Sequence, residues 1–308
     1  MEAMKPYFTV FTPTYNRADR LFRVYSSLKN QTLNDFEWLI IDDGSTDNTK
    51  EVVEEFIGRN EISIRYIYQE NGHKKKAFNH AVREAKGYFF IPADSDDEFD
   101  SNTLSIFKEI YNKQPEDVKT VISGVVCLCK SEDGSIIGDE FPKSEWLSDQ
   151  FEMRYVHSIK GEKWGCIKTD ILRLFPFPES VMGHVPENVI WTPIAKKYKT
   201  IFINEPLRTY FTDEFDSITN SKFSKVNAHG ALILSKVTLE HELNYFFYNP
   251  VHFIKTAANY TRFKLHVDRQ DRKSSDFVEN GNYPMLRKGL ILMCMPLGCL
   301  LYLRDLNK

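Results

Sequence analysis

Tyr88-Phe89-Phe90-Ile91-Pro92-Ala93-Asp94-Ser95-Asp96-Asp97 joins an apolar run to a tetrad in which three of four residues are carboxylates. The apolar part has the length and the aromatic, β-branched character of a buried strand, so the carboxylates gather at the strand's mouth rather than along a helix. A hard divalent cation binds there through one or two carboxylates, with water and substrate phosphate completing its shell. A solvated acidic turn or the first turn of a helix uses the same residues. The tetrad alone leaves both readings open; its place after Phe89-Phe90-Ile91 favours the first.

Upstream, β-rich runs alternate with helical patterns, which predicts βαβ units feeding a mostly parallel sheet in an α/β fold. Strands are expected at Tyr7 to Thr12, Glu37 to Ile41, Ile62 to Tyr68 and Tyr88 to Ile91. Helices are expected at Ala18 to Asn30, from an Asp47 cap onward, and at Lys74 to Ala85 with Gly87 as its C-cap. The turns after strands one, two and four then share one sheet edge, where open α/β sheets bind ligands. The second of them, Asp42-Asp43-Gly44-Ser45-Thr46-Asp47, offers carboxylates to a base or ribose, and Gly44 offers close backbone approach. A capping β–α turn is the plainer reading of the same residues.

Downstream the alternation loosens. Thr120 to Cys129 predicts a strand, Glu132-Asp133-Gly134 a turn, Ser144 to Ser158 a helix and Pro186 to Lys197 another, with strands at Thr200 to Ile203 and Leu207 to Phe211. From Phe223 the pattern is mostly helical. The expected division is a domain over 1–220, with halves 6–115 and 116–220, followed by a helical extension over 221–308.

The formal charge of −3 on 308 residues supplies no basic field for nucleic acid, so an anionic ligand must be held locally. Five cysteines without a C-x-x-C pair point to a reducing, cytoplasmic setting, and the N-terminus has no signal-peptide core.

Thr12-Pro13-Thr14-Tyr15-Asn16-Arg17, then Asp42-Asp43-Gly44-Ser45-Thr46-Asp47, then Asn71-Gly72-His73 with Ala77 and Asn79, then Asp94-Ser95-Asp96-Asp97 together resemble the family 2 glycosyltransferases of GT-A fold, the inverting type of bacterial polysaccharide biosynthesis. The likeness is strong over about 6–100 and weaker to about 220. It implies a hexosyltransferase that uses Mn²⁺ or Mg²⁺ and a nucleotide sugar, a UDP-sugar first, with a saccharide or lipid-linked acceptor. Pro13, Tyr15 and Arg17 fall on the loop lining the nucleotide, and Asp43, with Asp42, on the carboxylate for uracil or ribose. Lys74 and Asn79 fall near the diphosphate. Asp94 and Asp96 are the outer positions of the D-x-D motif, with Ser95 between them on the nucleotide sugar and Asp97 as a third acid facing the metal or the sugar. Lys75 and Lys76 read more simply as a solvated basic face.

The same resemblance implies a general base opening a helix in the second half. Gly183-His184-Val185-Pro186-Glu187-Asn188-Val189-Ile190-Trp191 has Asn188 where the family's Asp stands, so Glu187 is the candidate. An acidic residue in a first helical turn is also favoured by the helix dipole alone. His184 and Trp164 are weaker candidates for acceptor contact, and Arg208-Thr209-Tyr210 with Ser217-Ile218-Thr219 resembles the family's closing strand and loop. Asn188 also admits a catalytically silent nucleotide- or glycan-binding module on this fold as the rival reading.

Gly289 to Leu303 is apolar but shorter than the roughly 20 residues of a spanning helix, and Pro296 interrupts it. A peripheral anchor flanked by Lys and Arg and a helix packed on protein are both consistent with it.

Overall fold

The computed structural model describes residues 5–211, 225–267 and 285–307. Chain contacts group these into two units: residues 5–176 with 197–211, and residues 177–196 with the described part of the C-terminal region. The boundary expected near 220 lies outside the described residues. Residues 177–196, expected in the first domain, belong instead with the C-terminal helices.

The first unit is a nine-stranded sheet, and its parallel part begins at the N-terminus. β1 (Phe8–Thr14) runs between β2 (Phe36–Asp42) and β4 (Phe89–Pro92), with β3 (Ile64–Tyr68) beyond β2, all parallel. Phe8, Val10, Trp38, Ile40, Phe89 and Ile91 lock into one core, the near-continuous apolar patterning of strands covered on both faces. The helices between them are α1 (Leu21–Lys29), α2 (Thr49–Arg59) and α3 (His73–Glu84). Gly87 does not cap α3. A Cβ there would lie 2.3 Å from the Thr9 nitrogen, so the glycine lets the chain cross β1 at close range before β4 begins.

The sheet continues through β8 (Lys163–Lys168), β6 (Ile122–Lys130) and β9 (Lys199–Thr209), with β5 (Glu98–Phe99) at the far side of β9. Helices α4 (Thr103–Asn112), α5 (Glu116–Lys119) and α6 (Thr169–Arg173) complete this unit. Two sequence expectations change here. The strands predicted at 200–203 and 207–211 are one strand, bulged where β6 shifts from pairing Ile203 to pairing Pro206, which leaves Asn204 and Glu205 outside the register. The helix predicted at 144–158 is instead a strand, β7 (Glu145–Ser148), followed by a π-helical turn at Glu152–Val156. Trp146 and Ser148 are buried while Leu147 is exposed, a period of two, and Trp146 packs on Phe202 and Phe141.

The second unit is helical: α7 (Asn188–Lys197) up to Lys196, α8 (Ala228–His241), α9 (Pro250–His266) and α10 (Met285–Leu306). α10 runs 22 residues straight through Pro296, longer than the sequence suggested. Cys294 and Gly298 are buried on either side of that proline, so packing holds both halves across the missing N–H. By length and composition α10 is the one helix among the described residues able to cross a membrane.

Candidate active site

The carboxyl ends of β1, β2 and β4 lie side by side, with Thr14 paired to Asp42 and Phe11 to Pro92. The loops leaving them are tied together residue by residue. Asn16 sits in the left-handed region (φ 52°), and its Oδ1 accepts from the Thr46 N–H at 2.7 Å and the Asp47 N–H at 3.3 Å. The Asn16 N–H donates to Ser45 Oγ at 2.9 Å. Asp47 in turn accepts from the Thr49 N–H and hydroxyl and from the Ala18 N–H, so it serves the start of α2 and the first loop together.

Asp42 is buried, and both its oxygens are engaged within the protein: Oδ1 by the Ser45 N–H at 2.8 Å, Oδ2 by the Tyr66 hydroxyl at 2.5 Å. It staples its own turn. Asp43 uses Oδ1 to accept from Gln69 Nε2 at 2.7 Å and from the Gly72 N–H at 2.8 Å, drawing in the turn that opens α3. Gly44 (φ +92°) has a use the sequence did not reveal. A Cβ there would stand 2.9 Å from the Asn71 nitrogen, so the close approach is between two protein loops.

The acidic tetrad divides into two kinds of carboxylate. Asp94 receives Lys74 Nζ at 2.8 and 3.0 Å, and Asp96 Oδ2 receives Arg17 Nη1 at 3.2 Å with Arg20 Nη1 at 3.8 Å. The Asp94 and Lys74 side chains are 42% and 49% exposed. Burial works to raise the Asp94 carboxyl, but Lys74, with help from Arg208 and Arg17, prevails and holds it below the ordinary carboxylate value. Asp97, expected as a third acid facing the metal or the sugar, has both oxygens engaged within the protein. Its Oδ1 accepts from Arg208 Nε at 2.8 Å and Nη2 at 2.6 Å, and its Oδ2 accepts from the Asp94 N–H at 2.8 Å. Burial, the strongest influence, pushes the Asp97 carboxyl upward; Arg208 opposes this and Asp94 adds to it. Asp97 therefore shapes the turn on which Asp94 stands.

Pro13 is half-buried and Tyr15 is 49% exposed on the rim, while Ser95 and Asn79 are buried. Lys75, expected on a solvated face, is buried, and burial first, then the Lys76 charge, lowers its pKa; Lys76 is exposed as expected. Trp164 is no acceptor platform. It is buried against Phe99 and Phe107, with Nε1 donating to the Pro92 carbonyl at 2.6 Å, and so braces the strand before the tetrad. Sequence reasoning missed Arg20, Tyr66 and Gln69. Arg20 lies three residues after Arg17 in the turn that precedes α1, a basic spacing that was a usable signal; the other two meet their partners only through strand pairing.

In the second unit Glu187 is exposed just before α7, with Trp191 Nε1 at 3.4 Å from its Oε2. α7 is fixed by the Thr192 hydroxyl, which donates to the buried Glu242 at 2.9 Å. His184 is exposed, and its N–H donates to Asn227 Oδ1 at 3.0 Å. Ser217, Ile218 and Thr219 lie outside the described residues.

The fold is that of the GT-A glycosyltransferases. It is shared with Staphylococcus aureus TarS 1–349 in complex with UDP-GlcNAc (TM-score 0.64, 19% identity, 92% of this chain and 83% of that one). It is shared also with the Pyrobaculum calidifontis mannosyltransferase PcManGT in complex with GDP-Man and Mn²⁺ (TM-score 0.57, 18% identity, 98% and 88%). The chain belongs to glycosyl transferase family 2, whose profile matches residues 9–172, and it is a glycosyltransferase. It is 29% identical over 269 residues to the GalNAc(5)-diNAcBac-PP-undecaprenol beta-1,3-glucosyltransferase of Campylobacter jejuni, spanning 83% of this chain and 80% of that protein. With the hyaluronan synthase of Pasteurella multocida it shares 39% over 101 residues, which is 33% of this chain but only 10% of that one.

Proposed function

We propose that this chain moves a sugar from a UDP-sugar, with Mn²⁺ or Mg²⁺, to a hydroxyl of a saccharide or lipid-linked saccharide, inverting the anomeric centre. It would do so in the cytoplasm, at the inner face of the membrane. The observation that carries the proposal is the pairing of Asp94 and Asp96 with Lys74 and Arg17 at the carboxyl edge of a parallel sheet. Among the described residues no cluster of three or more His, Cys, Asp or Glu is arranged to hold a metal. Two partly exposed carboxylates, Asp94 and Asp96, nevertheless fit a cation whose other ligands are water and diphosphate oxygens. Asp94 and Asp96 would hold such a cation, which would supply neutralisation of the charge that grows on the departing diphosphate.

The chain's own residues do the rest. Lys74 and Arg17 exchange their carboxylates for phosphate oxygens as donor enters, keeping charge balanced. Asp43 and the Tyr15 rim orient the nucleoside, and Glu187 takes the acceptor hydroxyl's proton during in-line attack. The PP-undecaprenol-linked saccharide in the C. jejuni relative's name supports a lipid-linked acceptor, and the UDP-GlcNAc and Mn²⁺ named for the two structures support donor and metal as the first to test. Screening UDP-sugars for metal-dependent hydrolysis and transfer tests the proposal; no turnover of any donor with either metal would reject it. Glu187→Gln should abolish transfer while nucleotide still binds; retained transfer would move the base elsewhere.

A further inference from the structure

The outer face of α10 is built for a solvent other than water. From Gly289 to Leu303 it carries no charged residue, and Leu292, Met293, Leu297, Leu300 and Leu303 are 45–79% exposed. An apolar stripe of that length on a soluble surface marks an interaction site. The opposite side of α10 is committed to α9. A Cβ on Gly298 would lie 2.5 Å from the Ala258 carbonyl oxygen and 2.6 Å from Thr261 Cβ, so the helices approach with no room for a side chain at that position. Near its end, Asp305 accepts from Arg262 Nε and Nη2, both at 2.6 Å, and lies 3.0 Å from His266 Nε2.

Charge identifies the occupant. α9 contributes Lys255, Arg262 and Lys264, α10 contributes Arg287, Lys288 and Arg304, and the one acid of the two helices is the buried Asp305. The pair thus carries a surplus of five positive charges in a chain whose total is −3; Arg287 is buried 3.7 Å from Glu240 of α8, which leaves Lys255, Lys264, Lys288 and Arg304 as the exposed excess. Lys255 and Lys264 are exposed beside Ile254 and Leu265. Apolar residues flanked by exposed lysines suit the boundary between acyl chains and anionic headgroups. We infer that the α9–α10 pair docks on an anionic lipid surface, with α10 lying in the interface rather than crossing it. A crossing α10 would drag α9, clasped through Asp305, and its Lys255 into hydrocarbon. This deepens the membrane-side placement proposed above and is independent of the catalytic chemistry.

The test is flotation of the purified full chain with vesicles of phosphatidylcholine alone or mixed with phosphatidylglycerol. The wild type should float with the mixed vesicles, and Leu300→Glu, an exposed position that the fold tolerates, should lower partitioning about tenfold. Lys255→Ala and Lys264→Ala should each lower it about fivefold on mixed vesicles only. Leu147→Glu, exposed on β7 of the other unit, should change nothing. Protein that stays unbound, or a dimer that Leu300→Glu dissociates without any vesicle binding, would overturn the inference. So would retention in membranes after alkaline carbonate, the mark of a crossing helix. UDP-sugar turnover measured without vesicles reports separately on the catalytic reading.

Discussion

Asp94 and Asp97 stand three residues apart on one turn, and each faces a basic side chain, yet their surroundings give the two pairs different uses. The Arg208–Asp97 side chains are 8% and 5% exposed, and those of Lys74–Asp94 are 49% and 42% exposed. Breaking a pair out of reach of water strands a charge, so Arg208–Asp97 acts as frame. An open pair costs little to part, so in the proposed reaction Lys74–Asp94 is the pair that would exchange partners for a diphosphate. Exposure separates scaffold from working group within four residues of sequence.

The sharpest way to break this contrast is Asp94→Ala or Asp96→Ala, which should cut donor turnover about 10²–10³-fold while the fold persists. EDTA should do the same to the wild type, and Mn²⁺ or Mg²⁺ should restore it; undiminished turnover in EDTA would remove the metal from the picture. Next comes Arg208→Ala, expected to cost about 3–5 kcal/mol in urea denaturation because Asp97 is left buried alone. A loss near that of a surface pair would erase the distinction. Lys74→Ala sharpens the other side: stability should change by no more than about 0.5 kcal/mol, while UDP affinity by calorimetry falls about tenfold.

A smaller effect is expected at Asp305, whose buried clasp resembles the frame. Hydrogen bonds from Arg262, then His266, outweigh burial and hold its carboxyl below the usual range. A depressed folded-state value means that the stabilisation is present above the unfolded pKa of about 3.9 and is lost as pH falls through the folded value. The melting-temperature gap between wild type and Asp305→Asn should therefore close in acid; a gap that persisted there would deny the clasp its charge.

The parallel half of the sheet was legible because β1, β2 and β4 are apolar runs that end in polar turns, and each turn carries its own motif. GT-A architecture followed from the order of those motifs. What stayed hidden depends on partners far along the chain. Asp97 meets Arg208 across 111 positions, and Trp164 reaches Pro92 across 72, so neither role is written locally. β7 was misread because its alternation spans only four residues beside a helix-like stretch. Asp42 and Asp43 look equivalent in sequence, and their partners tell them apart: Tyr66 and the Ser45 N–H for one, Gln69 and the Gly72 N–H for the other.

Asn16 has a consequence for anyone who would redesign donor choice. Its side-chain oxygen receives two N–H groups from the loop after β2 while its own N–H is held by Ser45. The two loops are in effect a single machined part. A graft that swaps either one alone inherits a mismatched mate, so donor-switching chimeras should transplant residues 12–17 and 42–47 together.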